Sequence, residues 1–284
     1  MGQSFYEADA DARAVFDEAS ELLGYDMKAL CFEENEKLNL TQYTQPAMVT
    51  TGIAIMKVVE KQGLLPDTAA GLSLGEYEAL YAAGALSVTD AIRVVARRGE
   101  LMEAAVPAGV GAMAAVLGAE ASLIEETLSE IPEVWIANYN CPGQIVISGK
   151  KEAVEAAAEA LKARGIKRVL MLNVSGPFHS GLLREAGEEL GKVLAETEIH
   201  PLRIPYYANV TGGIVEDAAK VRGLLTEQVY SSVRFEQSIR NMLSAGVDTF
   251  YELGPGKTLA GFVKKIDRDA TVVNIETMED LAKI

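Results

Sequence analysis

The 284-residue sequence is poor in the residues that build disulfide frameworks and thiolate metal sites. Its two cysteines, Cys31 and Cys141, lie far apart and form no C-x-x-C. We therefore expect neither a disulfide framework nor a zinc site of cysteines. The start of the chain lacks the basic and apolar segments of a secretory signal, and no apolar run reaches about 18 residues. These absences predict a protein without a membrane span in a reduced, cytoplasmic compartment.

Basic residues are also scarce beside acidic ones. The 26 Lys and Arg against 41 Asp and Glu give a formal net charge of −15. This sign argues against general nucleic-acid binding and favours solubility. Hydrophobic residues make up 49% of the chain and charged residues 24%, which is typical of a globular protein. The length permits one large domain or two smaller ones.

The middle of the chain has a different pattern from its two ends. Helical spacing dominates the first hundred residues, apart from a short predicted strand at residues 69–72. From residue 111 to residue 174 the order becomes β-α-β-β-α-β, which is the order of a ferredoxin-like split unit. After it, helices alternate with predicted strands at residues 204–207, 248–253 and 271–275. Alternation of this kind predicts a mainly parallel sheet covered on both faces.

We therefore predict an α/β fold of two domains. The large α/β-hydrolase-like domain should comprise residues 1–108 and 178–284 and hold the parallel sheet. A small ferredoxin-like domain, residues 109–177, should be inserted into it.

A G-x-S-x-G occupies residues 71–75, between the predicted strand and a helical pattern. On a strand-to-helix turn, Ser73 would present its Oγ at the tip, and the helix N-terminus would favour developing negative charge. The N–H of Leu74 would then be the natural oxyanion donor. Gly71 and Gly75 flank the serine in this motif, and we expect larger side chains to clash at both positions. A plain turn is the alternative, since so short a motif recurs by chance.

Only two histidines could act as a base for Ser73. His200 precedes a proline between a helix and a strand, which predicts a surface or linker residue. His179 follows a predicted strand and starts a helix, and sites collect at strand ends in parallel sheets. A lone histidine there is often a neighbour of a helix cap. A candidate serine in need of a base favours the catalytic interpretation.

Arg97 and Arg98 are adjacent in a predicted helix with an apolar face. Consecutive helical residues lie about 100° apart, so one of the two should point inward. A buried arginine needs an anionic partner. The residues leave two partners open, an internal glutamate and an anionic substrate.

Motifs along almost the whole chain resemble the malonyl-CoA:acyl carrier protein transacylases of fatty acid synthesis and the related acyltransferase domains of polyketide synthases. The matching stretches are "LNLTQYTQPAMVT" (38–50), "GLSLGEYEAL" (71–80), "RRGELM" (97–102), "GAMAAVLG" (111–118), "NYNCPGQIVISG" (138–149), "SGPFHS" (175–180), "YANVTG" (207–212) and "ELGPGKTLAGFVKKI" (252–266). No esterase or lipase is expected to carry all of them.

The resemblance implies transfer of malonyl from malonyl-CoA to the phosphopantetheine thiol of acyl carrier protein. It implies a ping-pong mechanism through a malonyl ester on Ser73, without a metal or redox cofactor. His179 matches the general base. Arg98 matches the arginine that holds the malonyl carboxylate, which a guanidinium can do in bidentate fashion. The backbone carbonyl of Gln228 matches, more loosely, the group that orients the histidine.

Further positions match the family's substrate site. Gln45 and Asn140 match polar residues of the cleft, and Met102 matches a residue near the acyl pocket. Phe178 occupies the place associated with preference for malonyl over methylmalonyl. The family also implies a monomer.

The acyl carrier protein is usually acidic, as is this chain, so docking would require a local basic patch. Residues 162–168 form one candidate, and Lys264, Lys265 and Arg268 form another. Ordinary solvated surface is an equal alternative for both.

The sequence departs from the family in two places. Leu72 stands where many relatives have histidine, and we expect little effect from this. The chain also begins just past the family's first strand and "PGQGxQ" loop, whose glutamine supplies an oxyanion N–H. We expect a chain with this start to be impaired or poorly folded unless translation starts upstream, because an inner strand would lack a neighbour.

Three alternatives to malonyl transfer in fatty acid synthesis remain open at this point. A polyketide-synthase acyltransferase acting in trans would use the same residues. A serine hydrolase would use Ser73 and His179 on water, but would not require Arg98. A degenerate copy would leave Ser73 unacylated.

Overall fold

The computed structural model describes residues 1–107, 109–174 and 176–284. The domain boundary predicted at Ala108 and the Ser175 of the "SGPFHS" motif fall outside these ranges. Within them, no helix is both long and apolar enough to cross a membrane.

The first hundred residues form helices around one short strand. They are α1 (Gln3–Ala8), α2 (Ala10–Leu23), α3 (Met27–Phe32), α4 (Thr41–Lys61), β1 (Ala69–Ala70), α5 (Gly75–Ala82) and α6 (Val88–Ala104). Side-chain oxygens of Asp9, Asp26 and Ser87 accept backbone N–H bonds at the starts of α2, α3 and α6. Helix α4 begins at Thr41, and Pro46 lies inside it, where its ring nitrogen has no hydrogen to donate.

The ferredoxin-like order of the middle segment is confirmed. Its elements are β2 (Gly111–Leu117), α7 (Ala121–Ser129), β3 (Val134–Cys141), β4 (Gln144–Lys150), α8 (Lys151–Ala163) and β5 (Arg168–Met171). The strands form an antiparallel sheet in the order β3-β4-β2-β5. One face of the sheet buries a separate core against the two helices, around Ala114, Ile147 and Leu161. The other face carries Met113, Ala137 and Val146, which pack against Phe178.

The remaining residues complete the α/β part of the fold. They form α9 (Arg184–Glu196), β6 (Tyr206–Tyr207), β7 (Ile214–Val215), α10 (Val221–Gln228), α11 (Phe235–Ser244), β8 (Thr249–Leu253), α12 (Thr258–Ile266), β9 (Thr271–Ile275) and α13 (Met278–Leu281). Strand β1 pairs in parallel with β6, and β8 pairs in parallel with β9. The main apolar core of this part packs α2, α4 and α6 against α9 and α10.

The parallel sheet is present, but it is divided. Strands β1, β6 and β7 form one sheet, with β7 antiparallel, and β8 and β9 form another. A cleft of about 710 Å³ separates β1 from β8 and reaches Gly71 and Gly75 behind the serine turn. The strands near the serine are also shorter than predicted, because β1 and β6 have only two residues each.

Candidate active site

Ser73 lies on the turn between β1 and α5, and its backbone has the left-handed φ of 55°. Few residues other than glycine adopt this conformation, and it costs about 1–3 kcal/mol unless the surroundings enforce it. Asn209 supplies that enforcement. Its Oδ1 accepts the Ser73 N–H at 2.6 Å, and its Nδ2 donates to the Gly71 carbonyl at 2.6 Å. The N–H of Leu74 has no acceptor among the described residues, so it is free to donate to a substrate oxyanion.

The two glycines of the motif are not equivalent. A Cβ on Gly71 would lie 2.0 Å from the Gly75 carbonyl oxygen, whereas a Cβ on Gly75 would meet nothing within 4 Å. The clash predicted at both positions is therefore wrong for Gly75.

We expect Gly71→Ala to lower kcat by about 100-fold, because the turn must open to admit the methyl group and the serine shifts with it. Gly75→Ala should keep kcat within about threefold, and it should not lower stability because alanine favours helix. Steady-state kinetics and thermal unfolding of both variants check this. Equal loss in the two variants would contradict the steric difference.

His179 lies within reach of the serine and is almost fully buried. Its Nε2 is 2.8 Å from Ser73 Oγ, and its Nδ1 is 2.8 Å from the Gln228 carbonyl oxygen. A carbonyl only accepts hydrogen bonds, so Nδ1 carries the proton and Nε2 is left to accept from the serine hydroxyl. The backbone of His179 is also left-handed, with φ 55°. The structure thus brings the predicted base and nucleophile together at two strained positions.

Burial, with the positive charge of Arg98, lowers the pKa of His179 to about 4. The imidazole is therefore neutral, and able to accept a proton, throughout the physiological range. An unfolded chain would protonate this histidine near pH 6.5, so between about pH 4 and 6.5 the unfolded state binds the extra proton. The contribution of His179 to stability is then lost as the pH falls through that window.

We expect kcat/KM for malonyl-CoA to keep its plateau down to about pH 5, since the base stays neutral there. The difference in unfolding free energy between wild type and His179→Ala should shrink as the pH falls from 6.5 to 5. Urea unfolding at both pH values and a pH–rate profile measure these effects. An activity loss centred near pH 6.5 would show an unperturbed histidine.

Arg98 is 1% exposed, and its guanidinium points at the serine. Its Nη2 donates to Ser73 Oγ and to Gln228 Oε1, both at 2.9 Å, and its Nη1 donates to Gln45 Oε1 at 2.6 Å. None of the carboxylates in the described ranges forms a salt bridge with it; the nearby Glu76 interacts with it electrostatically, but Gln228 lies between the two groups. Its buried Nε also has no hydrogen-bond partner within the described ranges. A buried cation surrounded by neutral acceptors has capacity for an incoming anion.

Gln228 connects the whole site, which the sequence did not indicate. Its backbone carbonyl holds His179, and its Oε1 accepts from Arg98. Its Nε2 donates to the Ser73 carbonyl at 2.9 Å and to Glu76 Oε2 at 2.7 Å. The loosely matched residue therefore contacts the nucleophile, the base and the cation at once.

The other predicted residues differ in how closely they approach Ser73, His179 and Arg98. Gln45 also donates from Nε2 to the Met102 sulfur at 3.5 Å, so both belong to the Arg98 surroundings. Phe178 packs against both domains beside His179. Asn140 is buried in β3, and its Oδ1 has no hydrogen-bond partner among the described residues.

Residues assigned to the surface lie there. His200 is exposed near Glu198, and Arg97 pairs with Glu100 at 2.7 Å. The described residues hold no group of three or more histidine, cysteine or acidic side chains that could bind a metal ion.

Acidic neighbours partly neutralise one candidate basic patch. Arg164 pairs with Glu126 and Glu130, and Lys162 pairs with Glu159. In the other patch, the ammonium of Lys264 donates to two backbone carbonyls, at Arg268 and Ala270. Lys265 donates to Gln144 of the small domain. Docking at either patch stays a prediction.

Comparison with known proteins points to one family. The family model described as an acyl transferase domain matches residues 1–279. The malonyl CoA-acyl carrier protein transacylase of Bacillus subtilis is 46% identical, over 99% of this chain and 90% of that protein. The crystal structure of the enzyme called MCAT from Streptococcus pneumoniae has a TM-score of 0.96 at 44% identity, covering 100% of this chain and 93% of that one.

A third relative was solved with a partner. It is a malonyl-transacylase in complex with a holo acyl-carrier protein of a type II polyketide synthase, 38% identical with a TM-score of 0.96, covering 100% of this chain and 93% of that one. Both the length and the level of these matches are sufficient to assign a family. The chain belongs to the acyl transferase family, among the malonyl CoA-acyl carrier protein transacylases.

Proposed function

We propose that this protein transfers malonyl groups from malonyl-CoA to the phosphopantetheine thiol of an acyl carrier protein, for fatty acid biosynthesis. The observation that carries the proposal is the contact of the buried Arg98 guanidinium with Ser73 Oγ at 2.9 Å. A nucleophile beside a buried cation selects an acyl group that carries its own negative charge. The relative solved with a holo acyl-carrier protein supports the choice of acceptor.

The first half-reaction acylates Ser73. As its Oγ attacks the thioester carbonyl of malonyl-CoA, Nε2 of His179 takes the hydroxyl proton. The Leu74 N–H donates to the carbonyl oxygen as it becomes an oxyanion. When the carbonyl re-forms, the carbon–sulfur bond breaks and the imidazolium returns the proton to the coenzyme A thiolate. The malonyl ester and free coenzyme A are the products.

Arg98 changes partners during this step. Before acylation it donates to Ser73 Oγ, and this keeps the hydroxyl oxygen near the cation. In the ester that oxygen is less basic, and the malonyl carboxylate is the better acceptor for the guanidinium.

The second half-reaction reverses the roles with a different thiol. His179 takes the proton of the phosphopantetheine thiol, and the resulting thiolate attacks the ester carbonyl. The ester bond breaks, and the proton on His179 passes to Ser73 Oγ. Malonyl-acyl carrier protein leaves, and the serine hydroxyl is restored.

We place this activity in the cytoplasm on the ground that Cys31 and Cys141 are both free and buried. A reduced compartment suits such cysteines.

The direct test supplies the protein with malonyl-CoA, with and without a holo acyl carrier protein. We expect malonyl-carrier protein by mass spectrometry, parallel lines in double-reciprocal plots, and little free malonate. Rapid release of malonate with no transfer would instead identify a hydrolase. No consumption of malonyl-CoA in either mixture would overturn the proposal.

A further inference from the structure

Glu76 is fully buried one turn after Ser73, and it takes no part in the steps above. Its Oε2 accepts from Gln228 Nε2 at 2.7 Å and from the Asn209 backbone N–H at 3.2 Å. Its Oε1 is buried without a hydrogen-bond partner among the residues described. Burying a carboxyl group is costly unless its oxygen atoms are hydrogen-bonded. The hydrogen bonds of Glu76 therefore indicate its role.

The contacts of Glu76, together with the Ser73 carbonyl, decide which way the Gln228 amide points. The two hydrogens on Nε2 go to Glu76 Oε2 and to the Ser73 carbonyl, and both of these groups only accept. The amide oxygen must then face Arg98, whose Nη2 it accepts at 2.9 Å. In the flipped amide, two donors would face each other at Arg98 and two acceptors would face each other at Glu76.

We propose that Glu76 is a positioning residue for malonyl recognition, which fixes the amide orientation of Gln228 and thereby holds Arg98 against Ser73. This inference rests on the proposed function. Glu76 acts through Gln228 and does not touch the substrate. Its role is to make Gln228 Oε1 permanently available to the guanidinium, so that Arg98 is already placed when the malonyl carboxylate arrives.

The positioning does not depend on the charge of Glu76. The charged and titratable groups around it are Arg98 on α6, Tyr77 on its own helix and Tyr206 on β6, with His179 beyond Gln228. Burial raises the pKa of the Glu76 carboxyl to about 7, and Arg98 only partly opposes this. A proton would bind the unpartnered Oε1, and Oε2 would keep both of its hydrogen bonds. The preference for malonyl should therefore stay constant between about pH 6 and 8.

The test compares malonyl and acetyl transfer in three variants. Glu76→Leu removes the acceptor, and we expect the ratio of malonyl to acetyl kcat/KM to fall by about 10- to 100-fold. Glu76→Gln keeps an acceptor oxygen at the Oε2 position, and the ratio should stay within about threefold of wild type. The matched control is Glu78→Leu. Glu78 is on the same helix with no hydrogen bond in the described residues, and its replacement should leave the ratio unchanged.

A double-mutant cycle tests whether Glu76 acts through Gln228. In a Gln228→Leu background, Glu76→Leu should cost less than about threefold in the ratio, because there is no amide left to orient. A full additional loss in that background would overturn the inference.

Misfolding of Glu76→Leu, an unchanged ratio and an inactive wild type would each have a separate meaning. If Glu76→Leu does not fold by circular dichroism, Glu76→Asp takes its place, since the shorter side chain withdraws the oxygen from Gln228, and we expect the same fall in the ratio. A wild-type ratio in Glu76→Leu, or in Glu76→Asp where it takes that place, would overturn the role of Glu76 and leave the proposed function standing. Absence of malonyl transfer in the wild type would instead overturn the proposed function.

Discussion

Replacement of His179 by alanine should lower kcat for malonyl transfer by about 10⁴- to 10⁶-fold. The serine hydroxyl would lose its only proton acceptor in the described part of the chain, since Arg98 and Leu74 only donate. The same histidine also returns the proton to the leaving thiol, so both half-reactions should fail. Stopped-flow release of coenzyme A measures the first half-reaction alone, without a carrier protein.

The matched control is His200→Ala. His200 is the only other histidine of the chain, and it lies exposed beside Glu198. Its loss should leave kcat within about twofold. If His179→Ala kept a tenth of the wild-type rate, His179 could not be the general base.

Replacement of Arg98 by alanine should lower kcat/KM for malonyl-CoA by about 10³-fold, because the malonyl carboxylate would be buried without a partner. Transfer of acetyl, which has no carboxylate, should fall by less than about tenfold. That smaller loss reflects the hydrogen bonds from Arg98 to Ser73 and Gln228 in the free protein. Kinetics with both thioesters separate the two effects.

Arg97→Ala provides the comparison for Arg98. Arg97 is the preceding residue on the same helix, but it is half-exposed and, among the described residues, pairs only with Glu100. Exposed pairs of this kind contribute little, about 0–1 kcal/mol, so the variant should resemble wild type with both substrates. Equal losses of malonyl and acetyl transfer in Arg98→Ala would show that Arg98 supports the fold and not the choice of substrate.

The local patterns of the sequence predicted much of this site. The strand-to-helix turn at Ser73 follows from neighbouring residues alone. The prediction that His179 directly follows a strand of the parallel sheet and starts a helix is wrong, because β5 is antiparallel and ends at Met171, and His179 lies in a turn before α9. The adjacent arginines predicted one buried cation, and helical geometry places Arg98 inside and Arg97 outside. The ferredoxin-like order also followed from alternating strand and helix patterns, each several residues long.

The contacts that join these residues were not predictable in this way. Gln228, Asn209 and Glu76 meet only through tertiary packing, from positions separated by up to 152 residues. No sequence spacing predicts that the side chain and the backbone carbonyl of Gln228 bind different partners. The division of the parallel sheet was missed for a similar reason. Strands β1, β6, β8 and β9 were each predicted, but a local pattern does not show which strands pair within one sheet.

The most direct measurement is the identity of the acylated residue. The protein is mixed with malonyl-CoA alone, and the intact chain and its peptides are weighed by mass spectrometry. We expect one malonyl group per chain, on the peptide that contains Ser73, lost to the thiol when holo carrier protein is added, and absent from Ser73→Ala. Transfer to the carrier protein without a malonyl ester on Ser73 would contradict the ping-pong mechanism.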